Sequence, residues 1–206
     1  MKRLLHLSVA MSEAYMVFTG RPNSGKSSLI RLLTGLRVVI GKMPGTTSRI
    51  ERYPIASGLT LVDMPGYGRS LRSSREREEE TKDSILGFLR DNAGGIALVV
   101  HTVNVSTFLE TEARLGRKGF IPLDVEMVQY MRRDLGLQVL VAANKIDKGG
   151  TEEIMENLEA LRGQLGPTVP VYPVSARTGE GVGELKAEVH RRLVERGFRS
   201  PLELLR

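Results

Sequence analysis

The sequence predicts an α/β fold, a mostly parallel six-stranded sheet flanked by helices on both faces. Three observations lead there. Apolar runs of strand length alternate with amphipathic helical stretches, and a strand that returns parallel to its neighbour needs such a crossover. The chain has 206 residues, 41% hydrophobic and 26% charged. That is an ordinary globular composition, large enough to bury a core without crosslinks. Polar, glycine-rich turns follow the apolar runs at their carboxyl ends, where open α/β sheets bind ligands.

The elements follow in order. Residues 1–14 read as an N-terminal extension, disordered or a misplaced start, 15–197 as one domain, and 198–206 as a tail. The apolar start is short and broken by His6 and Ser8, and no apolar run nears the roughly 20 residues that span a bilayer. A cytoplasmic protein without membrane association is expected. Tyr15 to Thr19 is a buried strand. Lys26 to Leu36 is a helix with Leu29, Leu32, Leu33 and Leu36 at helical spacing. Arg37 to Thr47 is a loop. Ser48 to Ile55 and Leu59 to Asp63 form a hairpin turning at Ser57 and Gly58. Residues 64–75 read as loop, Glu76 to Asp91 as a charged helix and Gly95 to Val103 as a buried strand. No element is assigned over 104–122. Asp124 then caps a helix carrying Met127, Met131 and Leu135. Gln138 to Ala143 and Val169 to Val174 are strands. Glu152 to Leu165 and Gly183 to Arg196 are amphipathic helices.

Composition excludes several chemistries. There is no cysteine, hence no disulfide, zinc–thiolate site, iron–sulfur cluster or cysteine nucleophile. His6, His101 and His190 lie far apart in sequence, which argues against a histidine-built metal site. The net charge is +6 with a pI of about 9.8, and 22 of the 30 basic residues are arginine. Arginine suits phosphate contact. A nucleic-acid partner and a merely solvated basic surface both account for this charge.

Four strand ends carry the chemistry. Gly20, Arg21, Pro22, Asn23, Ser24, Gly25, Lys26 and Ser27 fit the pattern G-x-x-x-x-G-K-[ST] between a strand and a helix. Backbone N–H groups there curl around a phosphate, and the helix N-terminus adds positive potential. Lys26 reaches the β- and γ-phosphates and the Ser27 hydroxyl holds Mg²⁺. Asp63, Met64, Pro65 and Gly66 end the next buried strand. The Asp63 carboxylate serves Mg²⁺, and the Gly66 amide senses the γ-phosphate. Asn144, Lys145, Ile146 and Asp147 end a third strand. The Asp147 carboxylate accepts from guanine N1 and N2, a donor pair that adenine lacks. Asn144 braces the loops and the Lys145 stem lies over the purine. Val174, Ser175 and Ala176 end the last strand, and the Ala176 amide faces the purine O6. In the loop holding Gly45, Thr46, Thr47, Ser48 and Arg49, a threonine that ligates Mg²⁺ only beside a γ-phosphate makes a switch.

Together these motifs resemble those of the translation-factor-related, Era-like GTPases, over residues 15–196. Within that class the chain is similar to the EngB family of ribosome-associated GTPases. It shares Asn23 in the phosphate loop, Pro44-Gly-Thr-Thr47, and Asp63-Met-Pro-Gly-Tyr-Gly68. Residues 121–127 resemble the family's Pro-x-x-Asp segment, and the stretch 104–120 is similar to archaeal members. The chain departs from the bacterial pattern in having Asn144 where threonine is frequent. The resemblance implies a P-loop NTPase G domain, GTP hydrolysis with GTP and GDP as ligands, and Thr47 rather than Thr46 as the magnesium threonine. It also implies binding to ribosomal RNA of the large subunit during its assembly; bacterial members are linked to cell division and septation. A monomer is expected. The alternatives are an Era-like or tRNA-modification-type GTPase with another RNA target and, more remotely, a P-loop small-molecule kinase.

For catalysis the sequence nominates Lys26, Thr47, Gly66 and Asn23. Tyr67 stands where Ras-type enzymes carry a water-orienting glutamine, so slow intrinsic hydrolysis is expected. In related GTPases an asparagine at the Asn23 position helps bind K⁺, which would stabilise transition-state charge. A purely structural Asn23 that ties the loop together is the other reading. Arg69, Arg72, Arg75 and Arg77 are either an RNA-binding element gated by nucleotide or one side of a self-paired helix with Glu76, Glu78, Glu79 and Glu80.

Overall fold

The computed structural model describes residues 13–38, 49–68, 74–117 and 122–202. Its strands are β1 (Ala14–Gly20), β2 (Glu51–Ala56), β3 (Leu59–Asp63), β4 (Ile96–Asn104), β5 (Val139–Asn144) and β6 (Val171–Val174). Its helices are α1 (Lys26–Thr34), α2 (Arg75–Asp91), α3 (Phe108–Gly116), α4 (Leu123–Gln129), α5 (Thr151–Leu165) and α6 (Val182–Glu195). The strands form one sheet in the order β2-β3-β1-β4-β5-β6. Among the described residues, only the β2–β3 hairpin pair is antiparallel. Both edge strands carry a proline, Pro54 in β2 and Pro173 in β6. A residue that cannot donate to a ladder is tolerated at an edge.

Alternate residues of the central strands feed two cores, as the two-residue strand period requires. Val17, Val62, Val99 and Val141 face the side covered by α2, α4 and α5, with Ile85, Leu89, Val128, Met131, Leu158 and Leu161. Met16, Phe18, Leu61, Leu98 and Leu140 face α1 and α6, with Leu29, Ile30, Leu33, Leu185, Val189 and Leu193. Phe198 and Leu202, beyond α6, also pack into this second core.

The structure corrects several expectations. α1 stops at Thr34, not Leu36, because Gly35 turns the backbone left-handed at φ 76°. Its buried face uses Ile30, while Leu32 is 44% exposed. β6 begins two residues later than expected, at Val171. The unassigned stretch holds the tail of β4 and all of α3. α3 is held at its start by another element: the Leu109 N–H donates to Asn157 Oδ1 on α5 at 2.7 Å. Asp124 does not cap α4. Pro122 occupies that position without a side-chain cap, and Asp124 is buried in the first turn, facing Tyr67 and His101. α4 continues as a π-helical turn over Tyr130–Asp134. Gly45, Thr46, Thr47 and Ser48 lie outside the described residues, as do residues 1–12, Arg69, Arg72 and the side chains of Arg75 and Arg77.

Candidate functional site

Strand register brings the motif-bearing ends together. Phe18 pairs with Asp63, Gly20 with Thr102, Asn104 with Asn144, and Asn144 with Val174. The strand order reverses direction beside β1, the switch point where ligands bind in open α/β sheets. The loop from Gly20 to Gly25 springs from that strand and runs into α1. Asn23 at its tip has φ 62°, a left-handed conformation that asparagine tolerates better than most residues. The α1 N-terminus carries no side-chain cap, so its first N–H groups face the loop unspent.

The Lys26 Nζ donates to Asp63 Oδ1, and Ser27 Oγ lies 3.4 Å from Asp63 Oδ2. Burial pushes the Lys26 ammonium down and the Asp63 carboxyl up, and their mutual attraction opposes both shifts. Ser27 and Asp63 are hard oxygen donors side by side. That donor set fits Mg²⁺, which takes few protein ligands and completes its shell with water and phosphate oxygens. Gly66 presses on the same loop: a Cβ there would stand 2.8 Å from Pro22 N and 2.9 Å from Pro22 Cα. Only glycine allows that approach.

At the far side of the sheet edge, Asn144 ties three segments. Its Nδ2 donates to the Ser24 carbonyl at 2.7 Å, and its Oδ1 accepts from Ala176 N–H at 2.8 Å. The Ala176 amide, expected to face a purine O6, is thus engaged by Asn144. Ser175 Oγ donates to Asp147 Oδ1 at 2.5 Å, and Arg177 Nε donates to Oδ2 at 2.6 Å. The serine hydroxyl first, and then Arg177, hold the Asp147 carboxyl below the usual aspartate range. Arg177 is mostly exposed. Lys145 adopts φ 74° and is half-buried; burial, then Lys148, pushes its ammonium down.

Other nominated residues serve the fold. The side chains of Met64 and Val174 are fully buried core, and Ile146 packs against the larger core, which leaves their backbones to the site. The side chain of Arg21 lines a cavity of about 280 Å³ between the phosphate loop, α3 and α4, and its Nε has no hydrogen-bond partner among the described residues. Arg49 is exposed and Pro65 buried. Sequence reasoning passed over Arg177, although a charge directly after Ala176 was visible. It also passed over His101, whose signal is a single imidazole inside an apolar strand.

The model of the 50S ribosome-binding GTPase family matches residues 15–145. A protein of Methanopyrus kandleri named "Probable GTP-binding protein EngB" is 37% identical over 192 residues, covering 89% of this chain and 94% of that one. The protein of the same name from Pyrococcus abyssi is 34% identical, with 95% and 93% covered. The crystal structure of an engB GTP-binding protein superposes with a TM-score of 0.77 at 34% identity, covering 88% of this chain and all of that one. A phosphate-loop lysine paired with Asp63 and a base-side carboxylate held by Ser175 thus accompany likeness over nearly the whole length, and the chain belongs to the EngB group of the 50S ribosome-binding GTPase family.

Proposed function

We propose that this chain binds GTP and GDP, hydrolyses GTP slowly, and acts as a nucleotide-dependent switch on ribosomal RNA during assembly of the large subunit. The observation that carries the nucleotide part is the alignment of Lys26, Ser27 and Asp63 with Asn144, Asp147 and Ser175 along one sheet edge. The two groups offer a phosphate end and a purine end. Lys26 exchanges its bond to Asp63 for the β- and γ-phosphate oxygens. Ser27, Asp63 and Thr47 would hold Mg²⁺, which neutralises phosphate charge when bound. The Gly66 amide points its N–H at the γ-phosphate. Asp147 turns from Arg177 to the guanine N1 and N2 donors. The low position of its carboxyl keeps it ionised at neutral pH, ready to accept from both donors.

The kinase alternative leaves the bond from Ser175 to Asp147 without a purpose. Another RNA target within the same GTPase class differs only in the partner. The family description and the net charge of +6 favour the ribosome. The test is co-sedimentation with purified large subunits at several salt concentrations, with a non-hydrolysable GTP analogue and with GDP. The proposal expects stronger pelleting with the analogue and affinity that falls steeply with salt, as counterion release requires. Equal pelleting in both states contradicts the switch. Asn23, at the phosphate end, is expected to make hydrolysis faster in KCl than in NaCl; equal rates remove K⁺ from its role.

A further inference from the structure

Tyr67 follows the γ-phosphate-sensing Gly66, yet its side chain points away from solvent and is only 1% exposed. Its hydroxyl belongs to a buried polar chain. Thr19 Oγ1 lies 2.7 Å from His101 Nδ1. Tyr67 Oη lies 3.1 Å from His101 Nε2 and 3.3 Å from Asp124 Oδ1. His101 Nε2 is 3.4 Å from that same carboxylate oxygen. A carboxylate only accepts, so the chain has a direction. Thr19 donates to Nδ1, the hydrogen assigned to Nε2 goes to the phenol oxygen, and the phenol hydrogen goes to Asp124. Burial and then the Asp124 charge hold the phenol pKa well above its usual value, so it remains a donor.

The chain joins four elements. Thr19 sits in β1 just before the phosphate loop, His101 in the middle of β4, Tyr67 in the sensing turn and Asp124 in the first turn of α4. Gly68 adds a second contact, since a Cβ there would lie 3.0 Å from Leu123 Cδ2 on α4. A phenylalanine would fill the same volume. A buried polar chain gains little net stability over apolar packing, but it fixes direction as well as distance.

We propose that Tyr67, His101 and Asp124 are positioning residues that set the Gly66 amide against Pro22 and the phosphate loop, and so serve GTP hydrolysis rather than guanine recognition. This rests on the reading of GTP as substrate. The purine end is built from β5 and β6 and, among the described residues, shares no side-chain hydrogen bond with Thr19, His101, Tyr67 or Asp124. Loosening the turn therefore leaves base binding intact and misplaces the γ-phosphate contact.

The experiment compares wild type with Tyr67→Phe and Asp124→Asn in steady-state GTP hydrolysis, GDP binding by calorimetry and thermal unfolding. For Tyr67→Phe the expected result is a fall in kcat of about tenfold or more, the scale set by slight misplacement of reacting groups. KM and the GDP Kd stay within about twofold in the same picture. Should Tyr67→Phe fail to fold, Asp124→Asn, which keeps the side-chain shape, carries the same comparison. An unchanged kcat overturns the proposal, and so does a parallel loss of GTP and GDP affinity, which marks a merely structural role. A wild-type chain that neither binds nor hydrolyses GTP overturns the reading of function itself, and the positioning role falls with it.

Discussion

Asp147→Asn is expected to weaken GDP and GTP binding by about 10⁴-fold, the scale for sites built around a specific donor pair. The carboxylate offers two acceptors, one held by Ser175 and one by Arg177. Guanine presents two donors, N1–H and the exocyclic amine. A carboxamide offers one acceptor and one donor, so one edge contact turns repulsive. Xanthine carries N1–H beside a carbonyl, which matches the carboxamide. The variant is therefore expected to prefer xanthosine diphosphate to GDP. Stability changes little, because Arg177 is 70% exposed and exposed ion pairs contribute at most about 1 kcal/mol. Calorimetry with the two diphosphates decides it; retained GDP affinity contradicts the role of Asp147.

Lys26→Met has the second large effect, and it separates binding from folding. The lysine partners a buried carboxylate, with side-chain exposures of 7% and 2% for Lys26 and Asp63. Removing one member of such a pair costs about 3–5 kcal/mol, because the other charge is left buried alone. Asp63 is already pushed up by burial, and losing Lys26 pushes it further. A carboxyl whose folded pKa is raised binds more protons folded than unfolded. The variant should therefore gain stability as pH falls from neutral toward the ordinary aspartate range, about 4. Adding Asp63→Asn removes the stranded charge. The double variant should regain most of the lost stability while GTP affinity stays lost. Thermal unfolding across pH with nucleotide titrations checks both halves. If the single variant is as stable as wild type at neutral pH, Lys26 and Asp63 do not depend on one another.

What was legible in the chain was whatever is written in consecutive residues. The phosphate loop from Gly20 to Ser27 and the Asp63 turn are linear patterns, and the strand before each is an apolar run whose period needs no partner. Leu158, Leu161, Leu185 and Leu193 were readable for the same reason and are buried. What escaped depends on contacts across the sheet. α3 is held at its start by Asn157, 48 positions from Leu109. Asp124 was read as a cap because local rules favour acids there, but a phenol 57 positions earlier takes its carboxylate. Leu32 fits the helical spacing, yet it is 44% exposed. Within the site, the bond from Ala176 N–H to Asn144 and the grip of Arg177 on Asp147 join residues 32 and 30 apart. Spacing alone gave the residue types at these strand ends, not which donor meets which acceptor.

The central claim is that one end of the sheet edge reads a purine by its paired N–H donors while the other takes its phosphates. Titrating the purified wild-type chain with GDP and with ADP, in the presence of Mg²⁺, tests it most directly. The account predicts saturable GDP binding and ADP weaker by about 10⁴-fold, the discrimination expected when a carboxylate that reads two donors is left without them. Equal heats and equal affinities for the two diphosphates would contradict it.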